Sequence, residues 1–106
     1  MRVAVERSHI DGVVRVSVRG ELDIVSGPRV QEELLRAERE APRRVVLDLT
    51  GVTFFDSTGL QIILDAEVRA REAAYTFAVA PGGGEVLRVL ELAEVRGRLD
   101  LEEPAA

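Results

Sequence analysis

The first clear pattern along the chain has a period of two. Over residues 13–19, Val14, Val16 and Val18 point one way while Arg15, Ser17 and Arg19 point the other, which is the signature of a half-buried strand. Residues 3–6 read as a strand before it, with Asp11-Gly12 as the turn of a hairpin. Gly20-Glu21-Leu22-Asp23 closes the second strand, and the period then lengthens. Ser26-Gly27-Pro28 opens a helix, with Ser26 as N-cap and Pro28 in the first turn. Val30, Leu34 and Ala37 share its apolar face, and Ala41-Pro42 stops it. The run Val45-Val46-Leu47-Asp48-Leu49 reads as a strand buried on both faces, with Asp48 on the side of Val46. Residues 50–55 read as a loop. Leu60, Ile63, Leu64 and Val68 then recur at helical spacing, predicting a second helix that ends near Glu72. Thr76–Ala80 is another short strand, Pro81-Gly82-Gly83-Gly84 a loop, and Val86, Leu87, Leu90 and Ala93 a third helical face. Residues 97–101 read as a last short strand or turn, and 101–106 as a frayed tail. With neither repeat nor linker, residues 1–106 form one domain. The order predicts an α/β fold, a small, mixed, mostly parallel sheet flanked by helices and joined by right-handed crossovers.

Composition narrows the function. The 106 residues carry 14 basic and 19 acidic side chains, a net charge of −5, which argues against binding nucleic acid or an anionic membrane. Every basic residue is Arg, so chemistry that needs a Schiff-base or P-loop lysine is excluded. There is no Cys, hence no disulfide or thiolate chemistry, and a cytoplasmic location is the default expectation. One His, His9, beside a polar turn, cannot build a multi-histidine metal site. No apolar run is long enough to span a membrane, and the first residues do not resemble a signal peptide. No enzyme, cofactor or metal is expected.

In an open α/β sheet, ligands and partners gather beyond the carboxyl ends of the strands. Three loops belong there: residues 20–26, 50–59 and 81–85. Asp56-Ser57-Thr58-Gly59 is the most informative, because it loads a helix N-terminus with three oxygen-bearing side chains where one suffices for a cap. Gly59 costs about 1 kcal/mol inside a helix, which hints at a close backbone approach. A hydroxyl at a helix start is also well placed to carry a phosphate, since free N–H groups and the dipole favour the added charge. Asp23 and Asp48 end their strands near the same edge. They read as turn or cap residues, or as an acidic cluster with Asp56. The Gly82–84 loop lacks the Lys and Ser/Thr of a phosphate cradle. Phe54 and Phe55 read as core or helix staple, and either one becomes a partner anchor if exposed.

The run from Val45 to Leu60, with Asp56-Ser57-Thr58-Gly59 at its end, resembles the signature of STAS domains, specifically the bacterial anti-sigma-factor antagonists. Gly20-Glu21-Leu22-Asp23 is similar to their earlier Gly-Glu-Leu-Asp element, and residues 86–92 to their last helix. The resemblance spans nearly the whole chain. It implies a protein that binds an anti-sigma factor, itself a serine kinase, and thereby releases the sigma factor. The kinase phosphorylates the motif serine, here Ser57, which ends the interaction, and a protein phosphatase resets it. It implies a partner-binding surface of Asp23, Asp56, Ser57, Thr58, Gly59 and Gln61, where Gln61 replaces the small residue common in the family. A second reading is a non-switching scaffold or transporter-associated subunit with the same fold. A third, from another class, is a small-nucleotide binder that uses the Gly82–84 loop.

Overall fold

A computed structural model describes residues 3–102. Five strands and three helices alternate: β1 (Val3–Ile10), β2 (Val13–Leu22), α1 (Gly27–Glu38), β3 (Arg44–Phe55), α2 (Ser57–Ala73), β4 (Thr76–Ala80), α3 (Glu85–Leu92) and β5 (Asp100–Leu101). The sheet order is β1-β2-β3-β4-β5. The hairpin pair β1 and β2 is antiparallel, with Val5 opposite Val18, and every later pairing is parallel. The fold class is therefore the mixed, mostly parallel α/β sheet that the pattern predicts.

Because strand order follows chain order, successive right-handed crossovers place their helices on the same side of the sheet. The packing agrees. Val14, Val16, Val18, Val45, Leu47, Leu49, Phe77 and Val79 form one core with Val30 and Leu34 of α1, Ile62 and Ile63 of α2, and Val86 and Leu90 of α3. On the opposite face Val46, Ala78 and Ala80 make a small separate cluster that no helical residue joins. Asp48 lies on that helix-free face, as the alternation predicts. Arg15 lies flat across it, bonding Asp48 (3.0 Å) on β3 and Glu102 (2.8 Å) beyond β5. The small side chains of Ala78 and Ala80 leave room for that reach.

Four sequence expectations are corrected. β3 does not stop at residue 49. Gly51, Val52, Phe54 and Phe55 pair with Arg19, Gly20, Glu21 and Leu22 of a β2 that also runs on to Leu22, so the predicted loop over 50–55 is strand throughout. Register shifts between Ser17 and Arg19 and between Gly20 and Glu21 break the period-two pattern that would have marked it. On α2, the buried face is Gly59, Ile62, Ile63, Ala66 and Ala70, while Leu60 and Leu64 are half-buried and Val68 is 39% exposed. Small residues win the inner face because they let the helix lie close to the sheet. Ser26 stands at the N-cap position, but its hydroxyl makes no cap bond. Leu101 and Glu102, expected in the frayed tail, are tied down by pairing with Val79 and by a Glu102 N–H bond to the Val79 carbonyl (2.8 Å). Residues 103–106 lie outside the described residues.

Candidate functional site

The candidate site gathers at the pole where β2 and β3 end and α1 and α2 begin. Asp56 leaves β3 in extended conformation (φ −132°) and caps α2, its carboxylate accepting from the Thr58 N–H at 2.9 Å. Capping thus falls to Asp56, and Ser57, the first helical residue, is exposed. Gly59 is buried on the next turn. A Cβ there would lie 2.4 Å from Cε1 of the Phe55 ring, so the close approach inferred from the sequence is real, and its partner is the strand that feeds the helix. Phe55 is 2% exposed and belongs to the core, while Phe54 is 46% exposed.

The loop from β2 to α1 is built around a buried carboxylate. One Asp23 oxygen accepts from the N–H groups of Val25 and Ser26, each at 3.0 Å. The Ser26 hydroxyl donates to the Glu21 carbonyl (2.6 Å) and accepts from the Asp23 N–H (3.0 Å). This clasp of local bonds lifts Ile24 and Val25 into solvent, at 78% and 67% exposure. Beside them runs a groove of about 260 Å³ between the starts of α1 and α2, lined by Ile24, Pro28, Gln31, Thr58, Gln61 and Asp65. The helices meet closely there, since a Cβ on Gly27 would sit 2.8 Å from the Thr58 methyl. Gln61 is exposed and donates to Asp65 Oδ1 at 2.9 Å.

Of the six residues expected at a partner surface, Thr58 and Gln61 line the groove and Ser57 is exposed at the mouth of the helix. Asp56 is occupied as cap, Gly59 is inner packing, and Asp23 is 7% exposed and turned into its own loop. Asp23, Asp48 and Asp56 do not form an acidic cluster. Asp48 accepts from the Thr50 N–H (3.0 Å) and hydroxyl (2.7 Å) on the helix-free face. Burial pushes its carboxyl pKa up, but the Thr50 bonds and the Arg15 guanidinium outweigh this and hold it below the usual range. Among the described residues no three or more acidic or histidine side chains come together as a set that could hold a metal. His9 is not merely solvated, since its Nδ1 lies 2.8 Å from a Glu40 oxygen, and His9, then Arg7, hold the Glu40 carboxyl low. Beside the Gly82–84 loop, Arg88 is engaged by Glu85 at 2.7 Å, which leaves little to attract a phosphate. Sequence reasoning missed Ile24, Val25, Pro28, Gln31 and Asp65. The available signal was an Ile-Val pair in a loop that is otherwise polar or small, where nothing in the pattern calls for burial.

Residues 4–103 match the family model of the STAS domain. The anti-sigma-B factor antagonist of Staphylococcus aureus (strain NCTC 8325 / PS 47) is 31% identical over 64 residues, 60% of this chain and 59% of the relative. The anti-sigma-F factor antagonist RsfB of Mycobacterium tuberculosis (strain CDC 1551 / Oshkosh) is 28% identical over 72 residues, 68% of this chain and 59% of that protein. The chain thus matches about three-fifths of the length of these curated relatives. Among solved structures, an anti-sigma factor antagonist from Mycobacterium paratuberculosis superposes with a TM-score of 0.83 at 26% identity, covering 97% of this chain and 86% of the other. The chain belongs to the STAS domain family.

Proposed function

We propose that the chain is an anti-sigma-factor antagonist whose docking surface is the pole around Ser57 and whose switch is phosphorylation of that serine by its anti-sigma-factor partner, a serine kinase. Unmodified, it binds the anti-sigma factor and frees the sigma factor. Phosphorylated, it lets go until a phosphatase restores the hydroxyl. It acts in the cytoplasm, as a regulator rather than an enzyme. One observation carries the reading: Asp56 caps α2 and Ser57 beside it is exposed, so the helix start does not depend on the Ser57 hydroxyl for its cap, which supports that group as the one modified. The names of the similar proteins support the same class of partner.

The chemistry is sufficient in size. Phosphate adds roughly −1.5 to −2 charges at neutral pH, and a hundredfold loss of affinity requires only about 2.7 kcal/mol. Against a surface that had accepted a neutral hydroxyl, repulsion and desolvation supply that much without refolding. The helix start also favours the added charge within the chain itself, so both forms keep one backbone. The experiment is affinity measurement on Ser57→Ala and Ser57→Asp with a purified anti-sigma-factor kinase from the same genome, plus mass spectrometry after incubation with ATP. Ser57→Ala is expected to bind and to resist phosphorylation, and Ser57→Asp to bind more weakly. Equal affinities, or phosphate on another residue, would overturn the switch.

A further inference from the structure

We infer that residues 95–102 form a detachable strap over the outer edge of β4, held shut by ion pairs made across the helix-free face. β4 is joined to β3 at five positions, from Arg44 opposite Thr76 to Asp48 opposite Ala80. On its other side, among the described residues, it is joined to β5 at two, Ala78 opposite Asp100 and Val79 opposite Leu101, with the Glu102 N–H to Val79 carbonyl bond as a third hold. The segment that leads there has little core of its own. It starts beyond Glu94, a non-glycine residue in the left-handed region (φ 57°), and its single 3-10 turn, Arg96–Arg98, buries nothing. Val95 is buried, but Leu99 and Leu101 are only half-buried against the core.

Side chains from the interior strands complete the hold. Arg15 of β2 reaches over β3 and β4 to Glu102 at 2.8 Å while gripping Asp48 at 3.0 Å. Arg44 of β3 reaches Asp100 at 3.1 Å. The strap pairs with Ala78 and Val79 of a strand whose residues 77–80 are all buried, so its release bares the edge of an apolar strand, the kind of edge that templates pairing with another strand. A segment with few buried apolar contacts opens locally, well below the free energy of global unfolding. Here the opening equilibrium is set by partly exposed ion pairs, and ionic strength and the charge at Glu102 therefore control access to the β4 edge. This device is independent of Ser57.

Amide hydrogen exchange on the whole chain tests it, read as protection of the Glu102 amide against that of Leu47 in central β3. Glu102 should be less protected than Leu47 in the native protein. Glu102→Gln and Arg15→Gln should each lower protection at position 102 by roughly two- to fivefold, and 1 M salt by roughly twofold, with Leu47 unchanged. Arg15→Gln also frees Asp48 and can loosen the sheet as a whole, so Glu102→Gln, which leaves the Arg15–Asp48 pair intact, is the deciding variant. Equal protection at Glu102 and Leu47 in the native protein, or no change at position 102 in Glu102→Gln and in salt, overturns the strap.

Discussion

At the scale of single residues, the site works by dividing labour between neighbours. Asp56 satisfies the helix start and Ser57 stays available. Replacing Asp56 with Ala should cost about 1 kcal/mol of stability, measurable by urea unfolding. The Ser57 hydroxyl would then be drawn towards the vacated cap, so on the proposed function its phosphorylation by the partner kinase should slow in the same variant. A second residue is legible only in three dimensions. Tyr75 lies just before β4, between the ends of α1 and α2, and its hydroxyl is buried near the Glu38 carboxylate without a well-formed hydrogen bond. Burial, then the Glu38 carboxylate, pushes its pKa up to about 12. The folded pKa lies above the unfolded value of 10.0, so the tyrosine's contribution to stability is intact below pH 10 and is lost as the pH climbs towards 12. With one Tyr and no Trp in the chain, phenolate absorbance reports this group alone, and its native titration should centre near 12. Tyr75→Phe removes a buried hydroxyl that makes no well-formed hydrogen bond, abolishes this titration and should be close to neutral in stability at pH 7. The sequence displayed the cap, because Asp-Ser-Thr-Gly is a local pattern. It did not display Tyr75, whose environment is assembled from residues far apart in the chain.

At the scale of elements, type was easier to read than extent or facing. The five strands and three α-helices of residues 3–102 are present in the hydrophobic pattern, and Thr76–Ala80 has the predicted ends, but β1 runs on to Ile10 from a strand read over residues 3–6, and the 3-10 turn Arg96–Arg98 takes part of the expected last strand. The failures share a cause. The end of β3 was hidden because register shifts and Gly51 interrupt alternation, so only pairing with β2 identifies residues 51–55 as strand. The face of α2 was misjudged because hydrophobic size was weighed above fit. Leu60, Leu64 and Val68 are more apolar than Gly59, Ala66 and Ala70, yet the small residues face inward. That inversion gives a sharp test. Gly59→Ala would gain about 1 kcal/mol of intrinsic helix propensity, but its methyl would overlap the Phe55 ring, and overpacking of this kind costs roughly 1–3 kcal/mol. Net destabilisation in thermal or urea unfolding is expected, with Phe55→Leu partly rescuing it. Had the pattern alone governed, Ala would be the better residue.

At the scale of the whole molecule, the sheet has two unlike sides. One is covered by three helices around a continuous apolar core, and the other is crossed by arginine–carboxylate pairs over a few small side chains. The two sides should fail under different stresses. Truncations on the helical side, such as Leu34→Ala, should cost about 2–5 kcal/mol. The other side should yield to acid. The folded pKa of Asp48 is below its ordinary 3.8, so its contribution is present above that pH and is lost as the pH falls further. Unfolding free energies measured from pH 6 down to pH 2 should therefore fall less steeply in Asp48→Asn than in the native chain. This two-sidedness was foreshadowed by Asp48 sharing a face with Val46, but the reach of Arg15 to Glu102 joins positions 87 apart in the chain and no local pattern announces it.

The Asp23 clasp keeps two branched aliphatic side chains wet when the molecule is alone, at 78% and 67% exposure. A binding face that fully covers them would recover up to roughly 1.5–3 kcal/mol from each. That gain comes from water leaving hydrocarbon and is nearly indifferent to dissolved ions, whereas a doubly charged phosphate acts through a field that ions screen. On the proposed function, attachment of a partner at this pole should consequently survive concentrated salt, and the same salt should blunt the effect of a phosphate on Ser57.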